Sequence, residues 1–416
     1  MAGALAGELT REAADAADAA DPLAGLRARF VIDEDGPLYV DGNSLGRLPR
    51  ATGDAQAALT REWGERLVRG WDDWIALPET VGDELAAAAL GARPGEVAVC
   101  DSVTVNLFKL AAAAIEARPG ARTLVADRAD FPTDRYVLEG LAARHGLELR
   151  WAVPEEAGAA CAPGDVALAC FSHVDYRTGA VADMPAVTAA IHAGGALALW
   201  DLSHAVGAVA IELEAAGVDL AVGCTYKYLC AGPGAPAFLY VRSAHQATVR
   251  SPIQGWFGAA DQFAMGPGYV PREGIARFLA GTPPIAGLVA VREGTALVAE
   301  AGIAAVAAKG RALTDLAVAL HDAWLAPLGF ALGSPRDAGR RGAHVALRHP
   351  RAWAVCRALI ERAGVIPDFR GPDVVRLGFP ALSTRFVDVW DAMERLRALV
   401  AAGEHERVDT APRRVT

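Results

Sequence analysis

The fold is indicated by the segment Trp200-Asp201-Leu202-Ser203-His204-Ala205-Val206-Gly207. It is followed, one predicted strand later, by Tyr226-Lys227. The apolar run 196–201 ends on Asp201, and a second run, 220–224, ends shortly before Lys227. Short, continuously apolar runs are typical of strands buried on both faces, as in parallel sheets covered by helices. In such folds, ligands bind at the carboxyl ends of the strands, where these two side chains are expected.

The same alternation of strands and helices extends along the chain. Strands are predicted at 97–100, 123–126, 166–171, 196–201, 220–224 and 237–241. Helices are predicted between several of them, at 106–117, 135–145 and 184–192. A Gly- and Pro-rich stretch, 254–285, is interpreted as a functional loop region, followed by a helical region and a small unit with strands near 344–347 and 374–377.

We therefore predict an α/β fold, with a mainly parallel central sheet flanked by helices and a smaller α+β domain. The predicted division is an N-terminal segment packing with the small domain (1–50), a large ligand-binding domain (51–290) and a small C-terminal domain (291–416).

Composition narrows the function classes. With 53% hydrophobic and 22% charged residues, the 416-residue chain can bury a large core. Its formal net charge of -10 argues against a nucleic-acid partner. No basic region precedes an apolar leader, and no apolar stretch is long enough to span a bilayer. The six cysteines include no C-x-x-C pair, which suggests reduced thiols and a cytoplasmic location.

Asp201 and Lys227 together meet the requirements of pyridoxal 5'-phosphate (PLP). The pyridine nitrogen needs a carboxylate partner to stay protonated, and the aldehyde needs an amine. Lysines occur only at 109, 227 and 309, so few amines are available. Taken singly, Asp201 would be a strand-end cap or an ion-pair partner and Lys227 a solvated surface lysine. Their combination on these elements favours the cofactor.

A phosphate site is predicted at residues 103–106, which follow a strand and open a helix. Backbone N–H groups there and the Thr104 hydroxyl could bind an anion, although Thr104 as a helix N-cap explains the pattern equally well. His204, Tyr226 and Trp256 are candidate side-chain donors. The alternatives are a hydrogen-bonded structural role for His204 and core packing for Trp256.

The segment Phe131-Pro132-Thr133-Asp134 follows the strand at 123–126. Its aromatic ring can stack on a pyridine ring, and Asp134 can lie near the nitrogen as a second carboxylate. The alternative is a proline-containing helix start capped by Thr133 or Asp134. No metal is expected, because the spacing of His173, His204 and the cysteines fits no zinc pattern.

From about Tyr39 to about Trp390 the chain resembles the kynureninase family, which are PLP-dependent hydrolases of the fold-type-I transferase class. The resemblance is carried by the segments 41–46 (DGNSLG), 70–74 (GWDDW), 104–107 (TVNL), 131–134 (FPTD), 201–204 (DLSH), 226–229 (YKYL), 255–258 (GWFG) and 278–285 (FLAGTPPI). The 255–258 loop and the 43–46 turn separate this family from its desulfurase and aminotransferase relatives.

The resemblance implies roles for individual residues. Lys227 would hold the cofactor as a Schiff base and Tyr226 would act as a catalytic acid. Arg376 would bind the substrate α-carboxylate, with Trp71 and Ser44 also in the substrate site. The cofactor shell implied is Val103, Thr104, Phe131, Pro132, Thr133, Asp134, Ser172, Asp201, His204, Tyr226, Lys227, Trp256 and Thr282.

The resemblance also implies a homodimer with shared active sites, in which the Trp256 and Thr282 loops reach the partner's cofactor. The implied reaction is hydrolytic Cβ–Cγ cleavage of L-kynurenine, or of its 3-hydroxy form, to anthranilate or 3-hydroxyanthranilate and L-alanine, in tryptophan catabolism and NAD precursor synthesis. Trp71 stands where some members carry histidine, which favours plain L-kynurenine.

Two alternatives stay open on sequence grounds. A cysteine desulfurase or selenocysteine lyase is disfavoured, because no cysteine lies in 254–285 and Cys356 lies in a helical pattern. A non-catalytic PLP-binding protein is disfavoured by the intact set of Asp201, Tyr226, Lys227 and Arg376.

Overall fold

The computed structural model describes residues 9–409, so the outer ends of the predicted first and last domains, 1–8 and 410–416, lie outside the described residues. The strands are β1 (Leu38–Tyr39), β2 (Val97–Val99), β3 (Thr123–Ala126), β4 (Glu148–Trp151), β5 (Val166–Ser172), β6 (Leu197–Asp201), β7 (Leu220–Gly223), β8 (Phe238–Val241), β9 (Ala331–Leu332), β10 (His344–Arg348), β11 (Val365–Ile366), β12 (Asp368–Arg370) and β13 (Val374–Gly378).

The α-helices form layers around these strands, with short 3-10 and π turns at several of their ends. They are α1 (Arg11–Ala19), α2 (Arg50–Arg66), α3 (Trp71–Trp74), α4 (Leu77–Leu85), α5 (Val103–Glu116), α6 (Pro132–His145), α7 (Ala157–Cys161), α8 (Met184–Ala193), α9 (Ile285–Ala301), α10 (Ile303–Leu320), α11 (Ala352–Ala358) and α12 (Phe386–Ala401).

The central sheet has seven strands in the order β2-β8-β7-β6-β5-β3-β4. The five strands from β7 to β4 run parallel, whereas β8 is antiparallel to both β7 and β2. Every residue of β6, β7 and β8 is buried, which explains their unbroken apolar character. The predicted mainly parallel α/β sheet is confirmed.

All six predicted strands are present, with ends that differ by a residue or less. The edge strand β4 was not predicted, because Glu148–Trp151 mixes charged and apolar residues and is only partly buried. The helical region predicted after residue 285 is two helices, α9 and α10, which separate at Gly302, where φ is 76°. The segment that connects β6 to β7 consists of turns rather than a helix.

A second, antiparallel sheet has the order β12-β13-β10-β9, and its buried residues share one core with α10, α11 and α12. The beginning of the chain packs against this unit: β1 pairs in parallel with β11, and α1 lies against α12. A buried ion pair between Lys309 Nζ and Asp21 Oδ2, at 2.6 Å, also ties the beginning of the chain to α10.

Across residues 9–409, the helices are too short or too polar to cross a lipid bilayer.

Candidate active site

A cleft opens at the carboxyl ends of β5, β6 and β7, as expected for ligand sites in parallel sheets. Its cavity volume is about 150 Å³. Its lining residues are Ser102, Val103, Thr104, Phe131, Thr133, Asp134, Ser172, Val174, Tyr176, Asp201, Ser203, His204, Cys224, Tyr226, Lys227, Ala235 and Ala237. Ten of the thirteen cofactor-shell residues implied by the resemblance are therefore brought together in one cavity.

Lys227 is the only lysine that lines this cleft. Its Nζ lies 2.8 Å from Nε2 of His204, and burial lowers the pKa of its amine. Burial, followed by the nearby charge of Lys227, also lowers the pKa of His204 well below its ordinary value. Burial thus favours the unprotonated amine of Lys227, which is the nucleophilic form.

Two buried carboxylates lie side by side across the cleft. Asp201 ends β6, and its Oδ1 accepts a hydrogen bond of 2.7 Å from the Ser203 N–H. Both carboxyl oxygens of Asp134, in the first turn of α6, lack a hydrogen-bond partner. Burial and the adjacent Asp201 raise the pKa of Asp134 well above its usual range. Two carboxyl groups this close repel each other when both are ionised. A positively charged ligand beside them relieves this repulsion, so the pair is suited to bind a protonated, cationic group.

Phe131 lies at the wall of the cleft, immediately before α6, and its ring makes an edge-to-face contact with Tyr176 at 5.3 Å. The preceding residue, Asp130, accepts a hydrogen bond from the Ser172 N–H at 3.3 Å, and burial raises the pKa of its carboxyl group to about 7. A flat ligand can therefore stack on an aromatic face while its edge meets carboxyl groups.

The N-terminus of α5 forms one end of the cleft. The N-cap is Ser102, whose side chain accepts from the Val105 N–H at 3.4 Å, so the alternative of Thr104 as N-cap is wrong. Val103 and Thr104 occupy the first turn and line the cavity. The positive end of the helix dipole and unpaired N–H groups in a first turn suit an anion such as phosphate.

Three features of the cleft fit PLP. The Asp134 oxygens that lack partners match a protonated pyridine nitrogen, the Lys227 amine matches an aldehyde, and the α5 terminus matches a phosphate. Within the described part of the chain, no cluster of three or more metal-binding side chains occurs.

Arg376 lies behind the cleft rather than on its wall. It stands in β13, is fully buried, and donates from Nη1 to the carbonyl of Tyr176, a cleft residue. Its charge contributes to the lowered pKa values of Lys227 and His204, which indicates that it lies near them. Ser44 contacts Arg376 at 3.2 Å and does not line the cleft.

The turn that carries Ser44 is held against the loop that carries Lys227. The Gly46 N–H donates to the Tyr226 carbonyl at 2.8 Å, and a side chain at position 46 would collide with the Lys227 carbonyl and with Cys230. Glycine is required here because two segments of backbone approach closely.

Besides Arg376 and Ser44, four more predicted site residues lie outside the cleft within one chain. Pro132 occupies the first position of α6, and Thr282 is exposed. Trp71 and the half-exposed Trp256 both pack on Phe257, with ring centroids 6.1 Å and 4.7 Å apart, respectively. Both tryptophans therefore belong to a separate aromatic cluster.

The structure also adds residues that the sequence patterns did not single out. Tyr176, Ser203 and Cys224 line the cleft, and Asp368 pairs with Arg376. Ser203 and Cys224 had a signal, because each lies within three residues of a predicted site residue. Tyr176 had none, since its loop reaches the cleft only through tertiary packing.

Comparison with known families divides the chain in two. Residues 84–326 match the family described as aminotransferase class-V, and residues 306–396 match the kynureninase C-terminal domain. The first match covers the central sheet and the cleft, and the second covers the whole four-stranded sheet.

The kynureninase of Burkholderia pseudomallei is 46% identical over 401 residues, covering 94% of this chain and 95% of that protein. The kynureninase of Pseudomonas fluorescens is 44% identical over 396 residues, covering 93% and 94%.

Among solved structures, the cysteine desulfurase of Thermococcus onnurineus superimposes with a TM-score of 0.75 at 17% identity, covering 91% of this chain and 96% of that one. A cysteine desulfurase of Escherichia coli gives a TM-score of 0.74 at 16% identity, covering 91% and 98%. At such low identity these likenesses concern the fold, whereas the two kynureninases match in sequence over nearly the whole chain. The chain therefore belongs to the kynureninase family of pyridoxal-phosphate-dependent enzymes.

Proposed function

We propose that this enzyme hydrolyses the Cβ–Cγ bond of L-kynurenine to give anthranilate and L-alanine, a step of tryptophan catabolism. The observation that carries the proposal is the convergence of Lys227, the Asp134–Asp201 pair and the α5 terminus on one cleft, with Arg376 behind it. When bound, PLP accepts an amino group at its aldehyde and draws electrons from the adjacent carbon into its ring.

The chain's own residues supply the remaining chemistry. Lys227 would hold the cofactor covalently, and its amine, whose pKa is lowered by burial, would serve as the base for the α-proton. Asp201 and Asp134, which line the cleft, would keep the ring nitrogen protonated, and Phe131 would stack on the ring. Arg376 would bind the α-carboxylate of the substrate.

Tyr226 is the proposed acid at the β-carbon. Its side chain lines the cleft beside Lys227, and burial raises its pKa, so the phenol keeps its proton at neutral pH. In Tyr226→Phe we expect the cofactor to stay bound and the carbon-protonation step to slow by about 10²-fold or more. Single-turnover kinetics measure this step, and an unchanged rate would remove Tyr226 from the role.

The proposed activity is tested by anthranilate fluorescence after mixing the purified holoenzyme with L-kynurenine or with 3-hydroxy-L-kynurenine. We expect turnover of L-kynurenine. The 3-hydroxy form should be used less well, because Trp71 stands where some members of the family carry histidine. Release of sulfide from cysteine, without anthranilate, would instead assign the chain to the desulfurases. The six cysteines are all buried, which disfavours a mobile sulfur acceptor.

We further propose a homodimer with shared sites, located in the cytoplasm. Large apolar side chains are exposed next to the aromatic cluster of Trp71, Trp256 and Phe257. Among them, Phe263 exposes 67% and Met265 82% of its surface. Exposed apolar patches of this kind mark protein interfaces. A second copy of the chain would cover them and bring Trp256 and Thr282 to the partner's cleft.

Mixing two inactive variants tests this sharing. Lys227→Ala and Trp256→Ala each impair every site in their own homodimers. In a heterodimer, one site keeps Lys227 from one chain and Trp256 from the other, so co-refolding should restore about a quarter of wild-type activity. A monomeric mass with full activity in Trp256→Ala, or no recovery on mixing, would contradict shared sites.

A further inference from the structure

The guanidinium of Arg376 is held by groups from three separate segments of the chain. Nη2 contacts Asp368 Oδ2 and lies 3.2 Å from Ser44 Oγ, while Nη1 donates to the Tyr176 carbonyl. Nε has no partner. Since a guanidinium carries five N–H donors, these contacts leave two of them, one on Nη1 and one on Nε, for a ligand.

Asp368 and Arg376 are directly opposite each other on the antiparallel strands β12 and β13. Such cross-strand pairs lie close enough for their side chains to interact on one face of the sheet. Both side chains are almost fully buried, so neither can exchange its partner for water. The register of the sheet therefore fixes where the guanidinium points.

The charges in this region leave one positive charge without a counter-ion. The Asp368 carboxylate is shared by two guanidiniums, because Arg370 Nη2 also lies 3.1 Å from Oδ2. The nearby Asp41 adds little negative charge below neutral pH, because burial, and then Asp368, raise the pKa of its carboxyl group to about 7. A ligand with a single negative charge would complete the balance.

We propose that Asp368 is a positioning residue for substrate recognition, which holds Arg376 so that its free N–H groups receive the α-carboxylate of the amino-acid substrate. Ser44, whose hydroxyl lies 3.5 Å from Asp368 Oδ2, contacts the same nitrogen of Arg376 and so acts on the substrate through Arg376. This inference rests on the proposed function, since it presumes an amino-acid substrate in the cleft.

The test compares ligands with and without the carboxylate charge on the holoenzyme of Asp368→Asn. We expect the KM for L-kynurenine to rise at least about 10-fold, with a smaller loss in kcat, because ground-state binding of the carboxylate is weakened. In absorbance titrations, affinity for L-alanine should fall by a similar factor, while affinity for L-alaninamide, which lacks the carboxylate, stays unchanged.

Asp315→Asn is the matched control. Asp315 pairs with Arg341, which is also fully buried but lies outside the cleft and the Arg376 cluster. This variant should lower the melting temperature without changing the preference for L-alanine over L-alaninamide. If Asp368→Asn does not fold, Ser44→Ala provides the same comparison with a smaller expected loss, about 3-fold or more in the affinity for L-alanine.

An Asp368→Asn enzyme that folds and keeps the wild-type KM and the wild-type preference for L-alanine would overturn the inference. So would equal losses for L-alanine and L-alaninamide, which would indicate general damage to the cleft. A wild-type enzyme that binds L-alanine but releases no anthranilate from L-kynurenine would refute the proposed function while leaving the role of Asp368 testable by titration.

Discussion

Lys227→Ala should lower the turnover of L-kynurenine by at least about 10⁴-fold, because it removes both the covalent attachment of the cofactor and the base for the α-proton. The visible absorbance of the covalently held cofactor should disappear as well. The Lys227 side chain lines the cleft beside His204, and no other lysine does so. Absorbance spectra and anthranilate fluorescence of the purified variant measure both effects.

The chain offers a matched control in Lys309→Met. Lys309 is also buried and charged, but it pairs with Asp21 in the small unit. This variant should lose stability and yet keep the absorbance of the attached cofactor. A Lys227→Ala enzyme that retained both absorbance and turnover would show that another group holds the cofactor.

Asp201→Asn should retain the attached cofactor but lower kcat by about 10³-fold, because an amide cannot keep the ring nitrogen protonated. The effect should exceed that of Asp134→Asn, because burial and the adjacent Asp201 raise the pKa of Asp134 and so disfavour a negative charge on that carboxyl group. Steady-state kinetics of both variants check the order.

The control for this change is Asp219→Asn. Asp219 is a buried carboxylate that precedes β7, at the opposite end of the sheet, where it accepts from His192 and His245 at 2.7 Å each. Its loss should affect stability and leave kcat close to wild type. Equal losses of kcat in Asp201→Asn and Asp219→Asn would mean that the effect of position 201 is structural.

Much of the fold was predictable because its strands are locally distinct. Buried parallel strands such as β6 and β7 are short apolar runs, and a run that ends in Asp201 or leads to Lys227 brings chemistry to the sheet edge. β4 escaped prediction because an edge strand need not be apolar. The division at residues 50 and 290 remains our proposal, supported by the separate core around β10 and β13.

Site residues that directly follow a predicted strand could be predicted from the sequence. Site residues that come together only through tertiary contacts could not. Asp134 and Asp201 are 67 positions apart but adjacent in the cleft, and only their chemistry suggested a pair. Asp368 gave no signal in the sequence, because its role depends on the register between β12 and β13. Trp256 and Thr282 lie away from the cleft of their own chain, so their predicted contact with a cofactor depends on a second copy of the chain.

The most direct test of the central claim is borohydride reduction of the PLP-loaded enzyme, followed by peptide mapping. The reduction makes the link between cofactor and lysine permanent, so the mass of the cofactor marks the attachment site. We expect the mark on Lys227 and unmodified Lys109 and Lys309. A mark on either of those lysines, or no mark on an enzyme that turns over L-kynurenine, would contradict the account.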